Sequence, residues 1–150
     1  RRHTRLRTVT GVQTCALPIY LVVRGMCSLR PGLEGLSENI RVISVIGRFL
    51  EHSRLFWFGN GGDDALLIGS ADWMPRNLDR RVEAVAPIED PQLKGQLQKL
   101  MDLYLRDSRA WHMQSDGHYC QQLPEGEELL VQSTMMRCWH GGLKHSNSDT

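Results

Sequence analysis

Two short apolar runs either side of a glycine-rich turn constrain this chain more than any other feature. Leu55-Phe56-Trp57-Phe58 is aromatic and apolar, Leu66-Leu67-Ile68-Gly69 returns, and Gly59-Asn60-Gly61-Gly62-Asp63-Asp64 lies between them. Glycine and asparagine supply the positive φ angles that tight turns need, so the pattern predicts a β-hairpin. Tyr20-Leu21-Val22-Val23 predicts a buried strand ending at Arg24-Gly25. A loop follows through Pro31, Gly32 and Gly35, with Ser37 placed as an N-cap. Ile40 to Leu50 fits a helical face in part and a strand by its β-branched content. The expectation is a strand over Val42 to Ile46, then a short turn or helix over Gly47 to Glu51. A further strand is expected over Arg81 to Ala86, stopped by Ile88-Glu89-Asp90-Pro91. Leu93, Leu97, Leu100, Met101, Tyr104 and Leu105 recur at three and four residues, which predicts a helix over 92–106. Trp111 to Met113 and His118 to Gln122 flank Ser115-Asp116-Gly117, a second small hairpin; a turn over Pro124 to Glu128 and a last helix over 129–139 complete an α/β chain.

Composition narrows the classes. The chain has 150 residues, is 41% hydrophobic and 23% charged, and carries a net charge of +1, the profile of one ordinary domain. No apolar run approaches the ~20 residues of a membrane span. Six basic residues and no acid precede Glu34, so the remainder is mildly acidic and offers no charge suited to nucleic acid. Cys15, Cys27, Cys120 and Cys138 form no C-x-x-C pair and no tight Cys/His cluster, which argues against structural zinc and for reduced thiols in a cytoplasmic protein. Residues 1–19 lack periodicity, and VTGVQTCALPI over 9–19 resembles translated adapter sequence, so 1–19 is expected to be a non-native or disordered leader. The folded unit is placed at 20–131 and a frayed polar tail at 132–150.

Two patches gather reactive side chains: Glu51-His52-Ser53-Arg54, just before the aromatic run, and Gly69 to Arg81, just after its partner. Pairing of the runs brings His52 and Arg54 towards Ser70, Asp72 and Asn77, and a period of two puts His52 and Arg54 on one face. A histidine titrates near neutrality and can exchange a proton or accept a phosphoryl group. An arginine stays charged and grips phosphate oxygens. The pattern therefore suits phosphate chemistry. A plainer reading stands beside it: His52 as a solvated strand residue, and Arg76, Arg80 and Arg81 as a surface paired with Asp79 and Glu83. Trp57, Phe58 and Trp73 are read as core.

The runs Leu21 to Gly32, Gly35 to Arg41, Gly47 to Arg54 and Gly69 to Glu83 closely resemble the C-terminal catalytic region of type 1 polyphosphate kinases. The resemblance implies a phospholipase D-like mixed sheet flanked by helices, here one truncated half of a two-half catalytic region. It implies reversible transfer of the terminal phosphate of ATP to inorganic polyphosphate through a phosphohistidine, with Mg2+. The family's second histidine falls on His52 and a nucleotide-contacting arginine on Arg24, so catalytic His52 and phosphate-binding Arg24, His52 and Arg54 are implied, with Arg76, Arg80 and Arg81 as a polyphosphate path. His52-Ser53-Arg54 with Gly69-Ser70-Ala71-Asp72 also resembles a phospholipase D motif, with Arg54 for its lysine and Asp72 for its asparagine. The phosphorylated histidine and the magnesium-associated residues are expected in the other half. ATP or ADP and polyphosphate are the expected partners, within a cytoplasmic homo-oligomer, with or without peripheral membrane contact. The chain alone is expected to be inactive. Two competing classes are a non-catalytic polyanion-binding module and a phospholipase D-type phosphodiesterase.

Overall fold

The computed structural model describes residues 18–121 and 126–142. Most of the expected 1–19 leader, Pro124 and Glu125 of the expected turn, and the tail beyond 142 lie outside the described residues.

Strand-forming runs divide between two sheets. In the first, β1 (Ile19–Val22) pairs in parallel with β2 (Ile40–Ser44), β2 pairs antiparallel with β6 (Trp111–Met113), and β6 pairs antiparallel with β7 (Tyr119–Gln121). In the second, β3 (Leu55–Phe58), β4 (Ala65–Gly69) and β5 (Val85–Pro87) form an antiparallel meander. Among the described residues, α1 (Pro75–Arg80) lies between β4 and β5, α2 (Pro91–Leu105) crosses from the second sheet to the first, and α3 (Val131–Gly142) follows β7. The class is mixed α/β, as the sequence predicts.

Local chemistry explains the elements that match. The β3–β4 hairpin pairs Leu55 with Ile68 and Phe58 with Ala65. Its turn holds Asn60, Gly61 and Gly62 at positive φ. Pro91 opens α2 with its fixed φ, and the Asp90 carboxylate caps the helix by accepting from the Leu93 N–H at 2.8 Å. The C-terminal turn of α2 packs Leu103, Tyr104 and Leu105 against the buried cluster of Ile43, Val45, Ala110 and Val131. That cluster ties the first sheet to α2 and α3. Leu66, Ala71 and Asn77 are the buried residues of the β3–β5 region.

Several expectations need correction. β2 starts at Ile40, two residues before the expected strand, because parallel pairing of Ile19 with Ile40 and Val22 with Ile43 sets its limits. Val45 is buried beyond the ladder, and residues 47–51 are irregular, with neither strand nor helix. Ser37 caps no helix; its hydroxyl accepts from the Leu33 N–H and donates to the Arg30 carbonyl, closing the loop 30–37. The strand expected over Arg81 to Ala86 forms only at Val85–Pro87, since the Glu83 side chain is drawn to Ser70 and Asn77 and Val82 is fully exposed. α1 was not foreseen: it is too short to show a period, and its one signal is Pro75 at the first helical position. Trp73 is not core: the residue is 70% exposed, and its ring stacks on Phe56 at 5.7 Å, with 15° between the planes. Phe58 is also exposed. The last helix runs over 131–142, carrying regular structure into the segment expected as a tail.

Candidate functional site

The site is built where β3 begins and β4 ends. The Gly69 N–H donates to the Arg54 carbonyl at 3.0 Å, which extends the hairpin ladder by one step and sets residue 54 beside the segment 69–72. Arg54 Nε donates to Asp72 Oδ1 at 2.9 Å. Arg54 Nη1 reaches His52 Nδ1 at 2.9 Å and the His52 carbonyl at 3.1 Å. A guanidinium has no acceptor, so Nδ1 must accept, and the proton of the neutral ring then sits on Nε2. His52 is exposed, whereas the Arg54 side chain is only 16% exposed. His52 and Arg54 therefore meet as the alternation argument predicts, although β3 itself begins one residue later.

Arg24 approaches from the end of β1, and its Nη1 donates to the Glu51 carbonyl, one residue before His52. The Asp72 carboxyl is held below the usual carboxylate range, first by its hydrogen bond from Arg54 and then by the charges of Arg54, Arg24 and Arg76. Three guanidinium groups thus act on one carboxylate. Pairing with Asp72 raises the Arg54 guanidinium further above its ordinary value. Arg24 and Arg76, which pair with no carboxylate among the described residues, stand near an exposed imidazole, and this favours an anionic ligand.

The remaining expected residues fall elsewhere. Asn77 does not join His52 or Arg54: it is buried, and its Nδ2 donates to Glu83 Oε1 at 2.8 Å. Ser70 donates to Glu83 Oε2 and accepts from the Ala84 N–H at 3.1 Å. These bonds, with Ser70 foremost, hold the Glu83 carboxyl below the usual range. Arg76, Arg80 and Arg81 are exposed on and just after α1. Arg81 lies 4.0 Å from Glu83, in line with the plainer reading for that residue, while Arg76 and Arg80 make no ion pair among the described residues. Sequence reasoning missed Tyr104 and Gln132, which converge on Glu51 from α2 and α3. Tyr104 was legible only as part of a helical face, and nothing local marks Gln132.

The described residues do not fit the magnesium that the resemblance implies. No group of three or more His, Cys, Asp or Glu side chains among them is placed to hold a metal ion. Asp72 and Glu83 are already engaged by Arg54, and by Ser70 and Asn77. No described helix is long and apolar enough to cross a membrane.

A mixed α/β unit with a His–Arg–Asp cluster at one end of a hairpin is the class that fold and site define. Residues 8–132 match the family described as polyphosphate kinase C-terminal domain 2, and the chain belongs to the polyphosphate kinase family. A polyphosphate kinase of Parasynechococcus marenigrum is 60% identical over 131 residues, which is 85% of this chain and 18% of that protein. One of Pseudomonas aeruginosa is 49% identical over 124 residues, 82% of this chain and 18% of that protein. The crystal structure of polyphosphate kinase from Porphyromonas gingivalis superposes with a TM-score of 0.79 at 34% identity, covering 86% of this chain and 20% of that one. The chain thus spans about a fifth of the length of the relatives it matches.

Proposed function

We propose that this chain is part of a polyphosphate kinase that reversibly transfers the terminal phosphate of ATP to inorganic polyphosphate, and that it supplies the second histidine and the phosphate-binding arginines. One observation carries the reading. His52, Arg54 and Asp72 are linked by hydrogen bonds of 2.9 Å, with Arg24 anchored one residue away. In the proposed step the P–O bond to ADP breaks as a P–N bond forms to a histidine of the other half, and that bond then breaks as the phosphoryl group joins the end of the polymer. His52 donates Nε2–H to an oxygen of the phosphoryl group in transit. Arg54 Nη2, which makes no hydrogen bond among the described residues, and Arg24 offset the charge that gathers there. Asp72 fixes the guanidinium, and the guanidinium fixes the tautomer of the ring.

Arg76, Arg80 and Arg81 are proposed to line the polymer path; their exposure around α1 supports this. Magnesium, when bound in the complete enzyme, would neutralise phosphate charge, and its ligands are proposed to lie outside this chain. ATP or ADP, polyphosphate, a homo-oligomeric cytoplasmic enzyme and inactivity of the isolated chain are carried over from the family resemblance. The two departures from the phospholipase D motif, Arg54 and Asp72, bind each other.

The test uses a full-length chimera in which residues 20–132 replace the matching segment of the Parasynechococcus marenigrum relative. His52→Ala is expected to abolish ATP-dependent polyphosphate synthesis. Synthesis at a near-wild-type rate would overturn the reading.

A further inference from the structure

Residues 47–51 lead directly into His52 yet have no regular structure, and Phe49 and Leu50 are 48% and 76% exposed. Apolar burial therefore does little to fix their path. The side-chain amide of Gln132, in the first turn of α3, makes three hydrogen bonds to them. Its Oε1 accepts from the Phe49 N–H at 2.9 Å, while its Nε2 donates to the Phe49 carbonyl at 2.9 Å and to Glu51 Oε1 at 2.7 Å. The other Glu51 oxygen accepts from the Tyr104 hydroxyl of α2 at 2.6 Å. The Glu51 carbonyl accepts from Arg24. All three polar anchors of Glu51 thus come from distant parts of the chain.

Gly47 makes room for this arrangement. A Cβ at residue 47 would lie 2.7 Å from Gln132 Cδ and closer still to its Oε1. Val131, the preceding residue, is fully buried and already anchors α3 to the core, so the hydrogen bonds of Gln132 are not needed to dock the helix. They act on the loop. Burial and the neighbouring Glu51 carboxylate push the Tyr104 phenol well above its ordinary range, so it remains a donor throughout the working pH range.

We infer that Gln132 is a positioning residue: with Tyr104 and Gly47 it holds Glu51, and through Glu51 it places His52 for the phosphoryl step. This rests on the reading of His52 given above. Catalysis is steep in placement, and a displacement of about 1 Å costs on the order of 100-fold.

The same full-length chimera tests it. Gln132→Ala is expected to lower kcat for polyphosphate synthesis about tenfold or more, with KM for ATP little changed and a folded, cooperative melting curve. Gly47→Ala should reproduce that loss, because it displaces the amide with the glutamine still present. The double variant should be no worse than the poorer single one, since both changes break one contact. If Gln132→Ala fails to fold, Gly47→Ala and Tyr104→Phe carry the same kcat and KM measurements. Wild-type kcat in the folded variants, a rise in KM alone, or multiplicative losses in the double variant would overturn the inference. His52→Ala is the separate control: full activity there overturns the proposed function instead.

Discussion

Arg54 and Asp72 are joined by a 2.9 Å bond from Nε to Oδ1, and the same guanidinium holds His52 Nδ1. Asp72 thus acts on the imidazole at one remove. In the full-length chimera, Asp72→Ala is expected to lower kcat about tenfold by freeing Arg54 and, with it, the ring. Asp72→Asn keeps an acceptor and should fall between. Melting temperature should fall modestly, because the Arg54 side chain that loses its partner is only 16% exposed. Rates of ATP-dependent synthesis set beside melting curves check this, and an Asp72→Ala enzyme with wild-type kcat would refute the relay.

The pH dependence has a defined sign. Asp72 and Glu83 both have depressed carboxyl values, the first held chiefly by Arg54 and the second chiefly by Ser70 and then Asn77. Such groups stabilise the fold above their unfolded value and lose that contribution as pH falls through the folded one. The difference in melting temperature between the wild type and Glu83→Gln should therefore be steady down to about pH 5 and shrink below about pH 4. A difference that grows on acidification would contradict the assignment.

What was legible in the sequence follows from how local the cause is. The β3–β4 hairpin is written in Asn60, Gly61 and Gly62, and that hairpin alone places Arg54 next to Asp72. Asp90, Pro91 and the leucines after them encode α2. The limits of β2 depend on a partner strand some twenty residues away, and no residue within β2 announces them. The strand expected over Arg81 to Ala86 is shortened, and Asn77 is turned away from His52, because the Glu83 side chain bonds to Ser70 and Asn77. Gln132 was out of reach altogether, since it bonds to Phe49 across 83 positions of sequence.

The turn offers a clean stability test. Gly61 sits at φ 67° with open space around its Cα, so a new Cβ meets strain in the backbone and no steric clash. Gly61→Ala should destabilise the chain by about 1 kcal/mol in urea unfolding. Gly61→Asn should cost less, because asparagine tolerates the left-handed region.

The start of α3 bears on both core and site. Val131 is fully buried against Ile43, Val45 and Ala110, and its N–H donates to Asp107 Oδ2 at 2.8 Å. Val131→Ala removes two methyl groups from a packed position and should cost about 2 kcal/mol. Asp107→Ala leaves a helix-terminal N–H without its acceptor and should cost about 1 kcal/mol. Val131→Ala keeps the backbone N–H that Asp107 holds, so the two changes remove different contacts, and urea unfolding of each single variant reads its own cost. Gln132 follows Val131 directly, so loosening this turn should also lower kcat in the full-length chimera before the fold is lost. An unchanged kcat at reduced stability would separate the helix from the loop it is inferred to hold.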